Sequence, residues 1–365
     1  MSKVFSKKVF IGLSGGVDSS VSAALLKKAG YDVTGVFIKV WQPPFLPCTW
    51  KEDRLDAMRV AAHLDIPFIT LDLEKEYKKE VVDYMVMEYK KGRTPNPDVM
   101  CNQHVKFGAF FRKAVTAGAD FVATGHYARI APAKRSTLHA PRYKFLAGVD
   151  REKDQSYFLW TLTQKELSKT LFPVGGYKKS EVRKLAKKFG LPTAEKKDSQ
   201  GLCFMGKLDM KDFLKHFIKE TVGDVLDERG VIIGKHDGAT FLTLGARHGF
   251  TITQKGTHNT PYYVIAKDVA QNTITVSHEP LRAIKGKSNK QVAISKASWT
   301  RGVSPKKEGH FTARVRYRQL LEQCTIIHAG SKSAEILFTK PQIISSGQSL
   351  VLYNRDECLG GGVIE

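Results

Sequence analysis

Seven residues near the start of the chain constrain its fold more than any others: Ser14-Gly15-Gly16-Val17-Asp18-Ser19-Ser20. They follow the apolar run Val9-Phe10-Ile11-Gly12-Leu13 and open a stretch, Val21 to Ala29, with small and apolar residues at helical spacing. That order predicts a strand, a tight turn and a helix. Adjacent glycines let backbone N–H groups close on an anion. A helix beginning near Asp18 adds unpaired N–H groups and the positive end of its dipole. The segment is therefore a candidate pyrophosphate cradle. Ser14, Ser19 and Ser20 would supply hydroxyls, and Asp18 a carboxylate suited to Mg2+ carried in with phosphate. It has neither the Gly-Lys-Ser/Thr ending of a Walker loop nor the glycine spacing of a dinucleotide loop. The alternative is a capped surface turn.

The chain has 365 residues, enough for two or three domains. Its 58 Lys and Arg against 36 acids leave a net charge of +22, which implies a polyanionic partner, most often nucleic acid. An apolar fraction of 42% excludes large-scale disorder. No run reaches membrane-spanning length, and the polar, basic start lacks an apolar core behind it, so neither anchor nor signal peptide is expected and the location expected is cytoplasmic. Cys48, Cys101, Cys203, Cys324 and Cys358 form no Cys-x-x-Cys pair. That argues against structural zinc or a simple iron–sulfur cluster.

The apolar runs Val9–Leu13, Val33–Val40, Phe68–Leu73 and Phe121–Ala123 alternate with helical patterns at about 18–29, 51–64, 75–90 and 106–117. The pattern predicts a doubly wound parallel sheet with its ligand site at the carboxyl ends of the strands. After about Leu208 one more helix, Met210 to Thr221, gives way to short alternating strands with Gly, Asn and Asp turns. The expected architecture is an α/β N-terminal domain over residues 1–207, a small central domain over 208–287 and a C-terminal β-barrel over 288–365.

Several segments carry candidate chemistry. Ile38 ends the second strand, where its backbone would reach an adenine. Pro95 and Pro97 make a rigid, extended approach that places Asn96 and Asp98 ahead of Cys101, which falls just before a helix expected to start near Asn102 or Gln103. A thiol there, near His104 and Lys106, would ionise more readily, although a buried inert cysteine is the alternative. At the next strand end Gly125 would admit a nucleotide, and His126 and Arg129 would face phosphate or RNA. Lys153-Asp154-Gln155 precedes an aromatic run, and Cys203 lies in a glycine-flanked loop, 198–206, free to swing. Between 281 and 320 basic residues far outnumber acids, a candidate RNA surface. There, Thr312 to Arg318 would form a strand with Arg314, Arg316 and Arg318 on one side and Tyr317 opposite.

These segments, in this order, resemble the tRNA-specific 2-thiouridylase family of ATP pyrophosphatases, the PP-loop superfamily. The resemblance rests on Gly12–Ser20, Thr94–Phe107, Ala123–Arg129, Lys153–Trp160, Asp198–Met205, Ala313–Gln319 and Cys358–Ile364. It implies a tRNA-uridine 2-sulfurtransferase that uses ATP and Mg2+ to thiolate C2 of the wobble uridine and grips the anticodon arm of tRNA. Carried over by motif, the ATP site is Gly12, Leu13, Ser14, Gly15, Gly16, Val17, Asp18 and Ser19, with Ile38 and Gly125. Cys101 matches the nucleophile and Cys203 the persulfide carrier, the two closing to a disulfide. Asn96, Pro97 and Asp98 match the segment facing the target base. His126, Lys153, Asp154, Gln155, Arg316, Tyr317 and Gln348 match tRNA contacts. Sulfur would come from a donor protein, a cysteine desulfurase or sulfur carrier. Residues 40–47 lack acids often found there, and 244–249 vary a segment more often written with Gln and Lys. Physically, adenylation turns the C2 oxygen into a leaving group, and Asp98 is the candidate for proton transfer. The alternative is another PP-loop enzyme that adenylates a substrate other than RNA.

Overall fold

The computed structural model describes residues 6–45, 50–133, 142–198, 209–253, 260–279 and 289–365. Strands β1 (Lys8–Gly12), β2 (Asp32–Lys39), β3 (Phe68–Asp72), β4 (Phe121–Ala123) and β7 (Thr170–Leu171) form one parallel sheet in the order β3-β2-β1-β4-β7. Both faces are covered, which explains the nearly continuous apolar runs. Val9, Ile11, Val33 and Phe37 pack on one face against helices α1 (Val17–Lys28) and α2 (Trp50–His63). Val36 and Ile38 pack on the other, against two long helical stretches. One stretch runs through Glu74–Tyr77, Lys78–Asp83 and Tyr84–Lys90, the other through Pro97–Met100, Cys101–Phe110 and Phe111–Thr116; the middle part of each is wound as a π-helix. The strand order reverses between β1 and β4, so a crevice opens at the carboxyl end of β1.

Strands β8 (Gly223–Leu226), β9 (Ile232–His236), β10 (Phe250–Ile252), β11 (Tyr263–Asp268) and β12 (Thr273–Ser277) form a second sheet in the order β10-β9-β8-β12-β11, over its own small core of Val225, Val264, Ile274 and Val276. The helix ahead of it is shorter than expected, Met210–Lys215, because the chain turns off towards this sheet and the Thr221 N–H bonds the carbonyl of Asp237. Six strands then close into a barrel: β13 (Asn289–Trp299), β14 (Phe311–Arg314), β15 (Glu322–Ala329), β16 (Ala334–Gln342), β17 (Ser349–Asn354) and β18 (Glu357–Ile364), with β13 pairing back onto β18.

The hairpin of β5 (Ala128–Pro132) and β6 (Tyr143–Ala147) leaves the first region and extends the barrel sheet beside β18. Val351, Tyr353, Cys358 and Val363 on the barrel's outer side join the core that holds Tyr157 and Trp160. The seam is also hydrogen-bonded. The Tyr157 hydroxyl donates to the Ser349 carbonyl at 2.9 Å, and Trp160 Nε1 donates to Ser349 Oγ at 3.1 Å. Gln348 Nε2 donates to the carbonyls of Thr94 and Pro95 at 2.9 and 3.2 Å, so the barrel fixes the approach to Asp98 and Cys101.

Candidate active site

The two loop glycines do different work. Gly15 is left-handed, with φ of +73°, and a Cβ there would collide with the carbonyl of Asp53 on α2. Gly16 is extended and starts α1 with no side-chain cap, so the first N–H groups of that helix are left for a ligand. The hydroxyls of Ser14 and Ser19 stand 3.1 Å apart at the mouth. Ser20, expected to join them, is buried; it donates to Gly16 O at 2.7 Å and accepts from Thr193 at 3.0 Å. One residue further along a helix is a rotation of about 100°, which turns this hydroxyl into the core. Gly125 lets the end of β4 close on the loop, since a Cβ there would lie 2.7 Å from Ser19 N.

The crevice is a cavity of about 770 Å³ lined by Gly12, Leu13, Ser14, Gly16, Val17, Asp18 and Ser19 from the loop, with Ile38 and Gly125 on the sheet edge. Asp98, His126, Lys153, Gln155 and Tyr317 line it too, so the sequence brings residues from five separate motifs to one space. Tyr317 packs against Phe158 with ring centroids 4.4 Å apart and planes tilted by 46°.

Charge in the cleft centres on Lys179 and Asp198, two residues to which the sequence reading assigned no role. Lys179, at the start of α3 (Lys179–Lys188), lies 2.6 Å from Asp18 and 2.9 Å from Asp198. Tyr127 also donates to Asp18, at 2.8 Å. Lys153 and Arg183 reach Asp198 at 3.0 and 2.6 Å. Partial burial works to raise the pKa of Asp198, but hydrogen bonds from Lys179 and Lys153 hold it down to about 2. Burial, then the Asp18 charge, push the Tyr127 hydroxyl far up, so it stays a donor. Nothing in the sequence marks Lys179 among its many basic neighbours; only the fold of α3 against α1 singles it out.

Among the described residues no group of three or more His, Cys, Asp or Glu could hold a metal unaided. Mg2+ carried in with phosphates would need only one or two carboxylates, and Asp18 and Asp198 line the cleft where they could supply them.

The Cys101 helix begins earlier than expected. Asn96 Oδ1 accepts from Val99 N at 3.3 Å and Pro97 takes the first helical position, an N-cap and N1 pair that the reading of 95–98 as extended turn overlooked. Cys101 therefore lies inside the helix, fully buried among Val99, Val105 and Phe110. Its neighbours on the cleft face are Asp98, Asn102 and Lys106. Cys203, like Cys48, lies outside the described residues. Burial raises Cys324 and Cys358 to about 12, which leaves both inert.

His126 faces the cleft as a neutral ring. Its Nδ1 is 2.8 Å from Thr124 Oγ1 and its Nε2 is 3.3 Å from Lys106 Nζ. Burial, then the Lys106 charge, lower its pKa well below the usual histidine value. Arg129 turns away from the cleft to Asp356, at 2.8 Å. Asp154 is buried, accepting from Gly148 N at 2.9 Å, from Ser156 and from Arg314. The expected strand of alternating arginines ends at Arg314, which is buried with Asp154 and Tyr353; Arg318 has φ of +61° and lies in a turn with Tyr317. Arg316 is exposed, 3.5 Å from Leu244 O and 3.4 Å from Ser345 Oγ.

Residues 7–207 match the family described as tRNA methyl transferase HUP domain, 211–278 the tRNA methyl transferase PRC-barrel domain and 289–364 the aminomethyltransferase beta-barrel domain. The tRNA-specific 2-thiouridylase MnmA of Streptococcus thermophilus is 44% identical over 98% of this chain and 95% of its own length. The protein of the same name from Streptococcus equi subsp. zooepidemicus matches at the same identity and coverage. Among solved structures, the U34-tRNA thiolase NcsA of Methanococcus maripaludis covers 59% of this chain and 68% of its own, at 18% identity and a TM-score of 0.36, a likeness too partial to bear on function. The two full-length relatives settle the matter: the chain belongs to the tRNA-specific 2-thiouridylase family.

Proposed function

We propose that this protein is a tRNA-uridine 2-sulfurtransferase that uses ATP to replace the C2 oxygen of the wobble uridine by sulfur. One observation carries the reading: the glycine loop of β1 and the Asp98 face of the Cys101 helix line the same cleft, in a chain related over its whole length to 2-thiouridylases. Gly12 to Ser19 hold the triphosphate, with α1's N-terminus facing it and the adenine against Ile38 and Gly125. Asp18, with Asp198, would hold Mg2+, which would neutralise phosphate charge. The uracil O2 attacks the α-phosphorus and pyrophosphate leaves. Asn96, Pro97 and Asp98 face the base, and Asp98 moves the proton.

A persulfide on Cys203 supplies the sulfur. Either its terminal sulfur attacks C2 directly, or Cys101 first releases it as sulfide. On either route AMP departs, the sulfur ends as the 2-thio group, and Cys101 and Cys203 end as a disulfide that an external thiol reduces. The burial of Cys101 supports a relay that starts only after the helix or its cover moves. Lys153, Gln155, His126, Arg316, Tyr317 and Gln348 form the rim towards the anticodon arm, with Asp154 bracing it from behind. The catalytic, central and barrel domains occupy 1–207, 208–287 and 288–365. A cysteine desulfurase or sulfur carrier loads Cys203. Among the described residues no helix is long and apolar enough to cross a membrane, and we place the reaction in the cytoplasm, where tRNA and ATP meet.

The test is to incubate the protein with ATP, a persulfide donor and unmodified tRNA, then digest the RNA and weigh the nucleosides. A gain equal to sulfur for oxygen in uridine is expected; no gain rejects thiolation. Full thiolation by Cys203→Ser rejects the relay alone.

A further inference from the structure

Asn102 is the residue after Cys101, one helical turn past Asp98, and lines the cleft while only 3% exposed. Its Nδ2 donates to the Phe158 carbonyl at 3.3 Å. A carbonyl can only accept, so this bond fixes which end of the amide is which. Oδ1 is left without a hydrogen-bond partner, among a small number of such buried atoms in the described residues. A buried acceptor left unmade is costly, and such an atom at a cleft wall calls for a donor from a ligand. Lys106, one turn further on the same face, adds a donor, with neutral His126 beside it. The π winding over Cys101–Phe110 is a rare conformation that recurs at functional sites, and it carries both Asn102 and Lys106.

We propose that Asn102 reads the N3–H of the target uracil. This rests on the thiolation reading and adds to it a residue that selects the base. Uracil presents a donor at N3 between its two carbonyls; cytosine presents a lone pair there. An acceptor held rigid by the Phe158 carbonyl satisfies the first and leaves two acceptors facing each other with the second. N3 is bonded to both C2 and C4, so a base held at N3 by Asn102 keeps C2 one bond from the contact, beside the helix that carries Asp98 and Cys101. Asn102 is thus a specificity-determining residue; no bond is made or broken at it.

The test uses full-length protein, ATP and tRNA transcripts that differ only in the target nucleotide: uridine, cytidine or N3-methyluridine. Pyrophosphate release in a single turnover is the readout. Wild type is expected to prefer uridine over each of the others by about a hundredfold. In Asn102→Ala the preference over cytidine shrinks at least about tenfold, chiefly through a slower uridine reaction. Asn102→Asp keeps an acceptor but loses the donor to the Phe158 carbonyl, so its preference over cytidine also falls, though by less than in the alanine variant. An unchanged uridine-to-cytidine ratio in an Asn102→Ala protein that still turns over overturns the role of Asn102 alone. Absence of pyrophosphate release by wild type on the uridine transcript overturns the reaction, and this inference with it.

Discussion

Two clusters of charge in this protein use the same residue types and differ in what surrounds them. In the cleft, Asp18 and Asp198 share Lys179, and both carboxylate side chains remain 32% exposed. At the barrel seam, Asp154 and Arg314 pair with Tyr353 beside them, and their side chains are only 4% and 7% exposed. The first cluster can exchange its counter-ions with an incoming ligand, because water already reaches it. The second cannot, since freeing Arg314 for a phosphate would strand Asp154 in the core. A basic residue counted in a sequence is thus an RNA contact or a structural tie according to whether its acid partner is buried with it.

The sharpest way to break that contrast is Arg314→Met. It strands Asp154 and should lower the free energy of unfolding by about 3–5 kcal/mol, read by urea denaturation; a loss under about 1 kcal/mol would mean the seam pair is not closed. Asp18→Asn in the cleft should do the opposite. Pyrophosphate release should fall about a hundredfold or more, with unfolding shifted by less than about 1 kcal/mol because water still reaches the ion pair.

A third test concerns burial of the thiols. Without ligands, Cys101, Cys324 and Cys358 should all alkylate slowly with iodoacetamide, as peptide mapping would report. With ATP and tRNA, Cys101 alone should speed up, by about tenfold or more if its cover moves; rapid labelling of unliganded protein would contradict its placement in the core.

The smallest effect is expected from Asp198. Its pKa is lowered from 3.8 to about 2, so the stability it contributes is fully present above about pH 4 and lost as pH falls towards 2. Asp198→Asn should flatten the acid limb of the unfolding curve in that window. His126, whose pKa is lowered by burial, works in a different window: it must stay neutral to remain packed, so its contribution is lost as pH falls below the ordinary histidine value. A ring proton signal that titrates near pH 6.5 would show the ring to be open to solvent.

Much of the cleft is legible in the sequence because its chemistry is local. Gly15 needs a left-handed backbone, α1 needs an uncapped start, and an apolar run before them fixes the turn at a strand's end; adjacent residues dictate all three. The start of the Cys101 helix was equally local, in Asn96-Pro97, but two prolines also fit an extended turn, and the docking of Gln348 on Thr94 and Pro95 favours the helical entry. The strand of arginines failed for a different reason. Alternation predicts faces only while the strand continues, and this one ends at Arg314, where Asp154, distant in sequence, claims the guanidinium.

By itself, then, the sequence determined the parallel sheet, the glycine loop at the end of β1, the barrel and the family, since strand periodicity, turn chemistry and motif order act over short stretches. Only the tertiary structure decided that Lys179 sits between Asp18 and Asp198, that Asn102 keeps an unpaired acceptor at the cleft, and that Arg314 belongs to the core. Those outcomes depend on which charges and amides are brought together from distant parts of the chain, and on how much water is left around them once they meet.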